Sequence, residues 1–115
     1  MNLRQPVPEL PVSDVEEAQD YYERILGFEK AWLYPDKSIG AVCYGEVAIF
    51  FRKTETKINP NVHWVHTLNI EETYSELKSR GVIVAEDLEV KPWDLKQFTI
   101  ADCFGHVFIF HEEID

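Results

Sequence analysis

The stretch Asp14-Val15-Glu16-Glu17 recurs half a chain later as Asn69-Ile70-Glu71-Glu72. A second stretch, Gly45-Glu46-Val47-Ala48-Ile49-Phe50, recurs at a similar offset as Gly105-His106-Val107-Phe108-Ile109-Phe110. Two pairs of related motifs, each separated by about half the chain, are typical of a duplicated supersecondary unit. The sequence therefore predicts two copies of one module.

Each copy predicts one helix. Asp14 and Asn69 are residue types that favour the N-cap, and a glutamate follows each of them three positions later, as in a capping box. Apolar residues then recur at helical spacing until a glycine, Gly27 or Gly81, gives the usual signal for a helix end.

Strand patterns surround both helices. In the first copy a strand pattern precedes the helix and three follow it, at residues 7–12, 28–34, 39–44 and 46–51. The second copy has the same order, at residues 62–67, 82–84, 97–101 and 106–111. We therefore predict an α+β fold of two βαβββ modules, with curved mixed sheets and the helices outside. Within one domain, module one would span about residues 1–53, a polar linker 54–61 and module two about 62–115.

Composition narrows the classes of function. The chain of 115 residues has a net charge of −10 and no cluster of Lys and Arg, so nucleic acid is not an expected partner. It has neither a membrane-length apolar stretch nor a secretory signal, which predicts a cytoplasmic protein that does not bind membranes. The acidity fits a well-solvated surface, or the attraction of a cationic small molecule.

Several short motifs together resemble the vicinal-oxygen-chelate superfamily, which includes glyoxalase I, extradiol dioxygenases, fosfomycin-resistance enzymes and bleomycin resistance proteins. They are Leu10-Pro11-Val12-Ser13-Asp14-Val15, the two glycine-ended helices and the turn Asp102-Cys103-Phe104-Gly105. The resemblance covers nearly the whole chain. It is greatest to the bleomycin resistance proteins, through the stretch 7–12, Trp32, Trp64 and Pro92-Trp93.

The resemblance implies where a metal would be held. Enzymes of the superfamily use four side chains, one from the first and one from the last strand of each module. The corresponding positions here are Val7, Ile49, Val62 and Ile109. Aliphatic side chains have no lone pair to donate to a cation, so we predict neither a metal site nor another cofactor.

A shifted metal site is the alternative at these strands. Side chains alternate between the faces of a strand, so Glu9, His66 and His111 share faces with three of the four positions. Three separate shifts would have to converge on one point. The sequence therefore favours surface or hydrogen-bonded histidines at His63, His66, His106 and His111.

Aromatic residues replace the metal ligands. By resemblance, Trp32, Trp64 and Trp93 line the ligand groove, where flat rings stack on planar heterocycles and attract cations. Core packing explains Trp64 equally well. For Trp93, which follows a proline in an irregular stretch, the ligand-binding interpretation is favoured. His66 shares the strand face of Trp64 and is therefore also predicted to bind the ligand. Glu9 would lie on the cavity face, as a partner for a positive ligand group or as a solvated carboxylate.

These features predict a metal-free binding protein that sequesters a bleomycin-like or other planar, cationic antibiotic. The resemblance also implies antibiotic resistance as the role and a homodimer with pockets shared between chains. No nucleophile elbow or phosphate-binding glycine loop is present, which favours a binding protein over an enzyme. The alternatives are a metal-dependent lyase, transferase or dioxygenase of the same superfamily, and a diverged member that acts only through protein contacts.

Overall fold

A computed structural model describes residues 1–114 and divides the chain into two compact units, Met1–Asn59 and a second unit that begins at Pro60. The division falls inside the polar segment 54–61. Each unit contains one helix and one four-stranded sheet, with the elements in βαβββ order. The predicted α+β fold of two βαβββ modules is confirmed.

The first unit has its sheet strands in the order β1-β4-β3-β2. β1 runs parallel to β4, and the other neighbours are antiparallel, so the sheet is mixed. Its elements are β1 Glu9–Val12, α1 Val15–Arg24, β2 Glu29–Leu33, β3 Ile39–Tyr44 and β4 Val47–Lys53.

The second unit repeats this arrangement with the order β5-β8-β7-β6 and β5 parallel to β8. Its elements are β5 Val62–His66, α2 Ile70–Ser79, β6 Ile83–Val90, β7 Leu95–Ala101 and β8 Val107–Glu113. The largest departure from prediction is β6, which extends to Val90 instead of ending at residue 84. Its acidic second half has low strand propensity, but pairing with β7 holds it in the sheet.

Both predicted helix caps are confirmed. The Glu17 amide donates to Asp14 Oδ1 at 2.8 Å, and the Glu72 amide donates to Asn69 Oδ1 at 3.2 Å. Each helix has ten residues, and no helix of the described part is long and apolar enough to cross a membrane.

One face of each sheet packs against its own helix. In the first unit, the fully buried ring of Tyr22 on α1 lies 4.8 Å from that of Phe51 on β4, centroid to centroid. In the second, Tyr74 on α2 packs against Phe98 at 5.0 Å, and Phe98 stacks on Phe110 at 5.1 Å. Since strand side chains alternate, the neighbouring residues point away from the helix. We call the sheet side away from the helix the open face of each unit.

Candidate functional site

The open face of the first unit carries an exposed aromatic pair. Trp32, Ala41, Phe50 and Glu9 form one row across the four strands. Ala41 is small and buried, so the rings of Trp32 and Phe50 meet above it, with centroids 5.2 Å apart at 69°. Trp32 remains 44% exposed, which leaves its ring accessible.

A buried amide on α1 fixes the backbone beneath Trp32. The ladder of β2 is irregular between Lys30 and Trp32. Gln19 Nε2 donates to the carbonyl oxygens of Trp32 at 2.9 Å and Ala41 at 3.1 Å, which satisfies backbone groups at that irregularity. A cavity of about 240 Å³ lies beside Gln19 between α1 and β2, away from the open face.

Glu9 is not a free carboxylate. Arg52 on the neighbouring strand β4 donates from Nε to Glu9 Oε1 at 2.5 Å. Both side chains are about half exposed, so the ion pair contributes little to stability. A positive ligand group at Glu9 would have to compete with Arg52.

On the open face of the second unit, Trp64 and two histidines lie together. Trp64 is 53% exposed, and its ring centroid is 5.7 Å from that of His111. The His66 ring lies 5.5 Å from His111 on the other side. The exposure of Trp64 contradicts the interpretation that it is a core residue.

Trp93 joins the same open face from the turn between β6 and β7. It is 56% exposed, and its indole Nε1 donates to Gln97 Oε1 at 2.9 Å. Gln97 is buried and lies opposite His111 in the ladder. The structure therefore places Trp64, His66 and Trp93 on one open face of the second unit, whereas Trp32 and Glu9 lie in the first unit.

The four histidines differ in their environments. His106 is fully buried, and its Nδ1 accepts a hydrogen bond from the Asn61 amide at 3.0 Å, as predicted. His66 is exposed. The expectation of surface or hydrogen-bonded histidines does not hold for His63 Nε2 and His111 Nδ1, which are buried without a hydrogen-bond partner among the described residues.

Burial lowers the pKa of two of these histidines. The pKa of His63 falls below its usual 6.5 through burial and through repulsion from His106. The pKa of His111 falls for the same reasons, with His66 as the repelling group, although Glu113 acts in the opposite direction. Both rings are therefore neutral at physiological pH and can accept a hydrogen bond at one nitrogen.

These lowered pKa values predict a loss of stability on acidification. In the unfolded chain these histidines are protonated from about pH 6.5 downward, whereas in the folded chain they are protonated only at a lower pH. Their contribution to the free energy of unfolding is complete above pH 6.5 and is lost as the pH falls through their pKa values in the folded state. His63→Phe keeps the ring against Phe108 and removes one titration. Its melting temperature should fall less between neutral and acidic pH than that of the wild type; parallel curves would contradict the assignment.

The predicted metal positions do not supply a donor set. Val62 and Ile109 lie on the open face of the second unit, and Val7 precedes β1. Ile49 differs from the prediction, because it is only 3% exposed and pairs with Val42 on the helix side. Its neighbours on the open face are Ala48 and Phe50, since a shift of one residue reverses the face. Neither of them can bind a metal.

The shifted set of Glu9, His66 and His111 does not form a metal centre either. Nowhere in residues 1–114 are three His, Cys, Asp or Glu side chains grouped closely enough to hold a metal ion. The side chains at these positions therefore do not fit the divalent ion used by enzymes of the superfamily.

Sequence reasoning missed three residues of the open faces. Phe50 pairs with the aromatic ring of Trp32, Gln97 anchors Trp93, and Lys91 lies over the Trp93 ring. Strand alternation, applied to residues 97–101 and to 46–51 with the correct phase, would have identified Gln97 and Phe50. Lys91 lies in the turn between β6 and β7, which corresponds to the turn at residues 34–38 of the first module, and its position over Trp93 depends on the path of that turn.

Comparisons with known proteins agree on the fold. The family model for the Glyoxalase/Bleomycin resistance protein/Dioxygenase superfamily matches residues 4–110. A bleomycin-binding protein solved with bleomycin superposes with a TM-score of 0.83 at 18% identity, over 97% of this chain and 100% of that one. TioX from Micromonospora sp. ML1 gives 0.82 at 20% identity, over 96% and 100%.

A superfamily member from Sphaerobacter thermophilus is 27% identical, with a TM-score of 0.76 over 96% of this chain and 98% of that one. No curated protein sequence matches.

Proposed function

We propose that this chain, which belongs to the Glyoxalase/Bleomycin resistance protein/Dioxygenase superfamily, binds a planar, cationic small molecule without the help of a metal ion. The observation that carries the proposal is the pair Trp64 and Trp93, each more than half exposed on the open face of one unit. Large apolar side chains exposed on one surface more often mark a binding site than a surface that only contacts water.

The groups around these rings suit a planar ligand with polar substituents. Indole rings stack on flat heterocycles, and the neutral His111 ring lies beside that of Trp64 on the same face. Glu86 and Glu89 lie on the same open face, since they pair with Thr99 and Gln97. Together with the net charge of −10, these carboxylates favour a positively charged ligand.

The similar bleomycin-binding protein supports an antibiotic of this kind as the ligand. Sequestration of the antibiotic would then confer resistance without any chemical change to it. A metal-dependent lyase, transferase or dioxygenase would need donors that the implied positions do not have. Binding rather than catalysis is therefore the function that we propose.

The proposal includes the pairing of two chains. Trp32 in one unit and Trp64 in the other stay about half exposed in a single chain. A second copy that covers these rings would complete two equivalent pockets, as symmetry requires of a homodimer.

Titration followed by tryptophan fluorescence tests the proposal. Bleomycin, or the planar cation N-methylacridinium, should quench the fluorescence to saturation, with the same Kd after chelator treatment as with added zinc. Sedimentation of the same samples should give a dimer. Binding that requires added metal, or a ligand-saturated protein that stays monomeric, would contradict the corresponding part of the proposal.

A further inference from the structure

We infer that Trp93, Glu86 and Glu89 form a subsite for the cationic group of the ligand, and that the ammonium group of Lys91 occupies this subsite until a ligand displaces it. The inference rests on the proposed function and adds to it the chemical class that this subsite takes, an alkylammonium or quaternary nitrogen joined to a flat ring system. We name these four residues the Lys91 cluster.

The geometry of the Lys91 cluster is that of a bound ammonium ion. Lys91 Nζ lies 5.8 Å from the centroid of the Trp93 ring, within the range of a cation–π contact. The same nitrogen lies 3.5 Å from Glu86 Oε2 and also donates to Glu89 Oε1. The Lys91 side chain is only 16% exposed, whereas the two glutamates are about 60% exposed. An aromatic face and two carboxylates thus surround one positive charge.

The frame of the cluster does not depend on the Lys91 side chain. The Lys91 amide donates to the Leu95 carbonyl oxygen at 2.8 Å, and the Asp94 amide donates to that of Lys91 at 3.1 Å, which closes the turn. The hydrogen bond to Gln97 orients Trp93. The subsite should therefore persist when the Lys91 side chain moves away or is shortened.

Lys91 also stays charged at neutral pH. The pKa of Lys91 is raised, chiefly by its hydrogen bond to Glu89 and further by the charge of Glu86. A ligand cation must therefore compete with a permanent positive charge. The lysine ammonium sits on a flexible stem, so it can leave the ring without a change in the backbone.

This competition makes Lys91 a residue that determines specificity. A ligand that joins a flat ring to a cation can stack and also replace the ammonium between the two glutamates. A neutral ligand of the same shape gains only the stacking, because it has no charge for Glu86 and Glu89. Removing the Lys91 ammonium should therefore help a cationic ligand much more than a neutral one.

The experiment compares two dyes that differ in charge, N-methylacridinium and acridine, at mildly alkaline pH, where acridine is uncharged. In the full-length protein, Lys91→Ala should tighten the binding of N-methylacridinium roughly five- to thirtyfold, the range that one cation over an aromatic ring supplies. The affinity for acridine should change little. Lys91→Arg, which keeps the cation, should behave as the wild type.

Lys96→Ala is the matched control. It removes the same charge from the next strand, but Lys96 pairs with Glu71 of α2 and contacts neither Trp93 nor the two glutamates. It should change the affinity for both dyes only slightly. Glu89→Gln should reduce the preference for the charged dye.

The outcomes separate the inference from the proposed function. Equal effects of Lys91→Ala and Lys96→Ala, with binding that still depends on Trp93, would overturn the Lys91 subsite and leave the proposed function standing. Absence of binding of either dye to every variant would overturn both. A selective gain for the charged dye in Lys91→Ala alone would support the inference.

Discussion

Trp93→Ala is expected to weaken ligand binding by about 1–3 kcal/mol, or roughly 5- to 150-fold, while the protein stays folded. The reason is that Trp93 is 56% exposed and is held by one side-chain hydrogen bond, to Gln97. Its loss removes a stacking surface and little buried area. Fluorescence titration gives the change in Kd, and urea unfolding gives the change in the free energy of unfolding.

A conservative variant separates the ring from its hydrogen bond. Trp93→Phe keeps a flat aromatic face and loses the donor to Gln97, so it should retain most of the affinity that Trp93→Ala loses. A stability loss of about 3–5 kcal/mol in Trp93→Ala, the scale of a buried aromatic side chain, would instead identify Trp93 as a core residue. Unchanged affinity in that variant would reject the stacking role.

The elements of the fold could be predicted because their signals are local. The caps Asp14 and Asn69 and the end signals Gly27 and Gly81 each act within one helical turn, and the structure has φ values of 75° and 86° at the two glycines. The repeat then supplied the strand order. The length of β6 was missed because its pairing with β7 outweighs the low strand propensity of its acidic residues.

The existence of a strand was easier to predict than its phase, that is, which of its side chains point to which face of the sheet. Counting from the turn glycines gave Ile49 and Ile109 equivalent places, yet only Ile109 lies on an open face. The connections differ: Tyr44 pairs with Val47 across a tight turn, whereas Ala101 pairs with Val107 across the longer segment 102–106. Turn length sets the register of a hairpin. Residues at the same distance from the two turn glycines therefore point to opposite sides of the two sheets.

The charged partners of the site residues could not be predicted. Arg52 neutralises Glu9 from the neighbouring strand, and Lys91 reaches Trp93 only because the turn after β6 folds back. Such contacts depend on rotamers and on the path of a turn, neither of which leaves a periodic pattern in the sequence. They nevertheless decide the charge that a ligand meets.

Two adjacent phenylalanines offer a direct test of the phase of β4. Phe51 is fully buried against Tyr22 on the helix side, so Phe51→Ala should lower the free energy of unfolding by about 3–5 kcal/mol. Phe50 points to the open face and contacts Trp32, which is itself 44% exposed. Phe50→Ala should therefore cost much less stability and should weaken ligand binding instead.

Urea unfolding followed by circular dichroism measures both variants, and each variant is then titrated with ligand under conditions where it is folded. The two substitutions remove the same atoms from neighbouring residues, so each serves as the control for the other. Equal losses of stability would contradict the alternation of β4. A larger loss in Phe50→Ala would place Phe50 in the core and return Ile49 to the open face, where its side chain would again occupy the implied metal position.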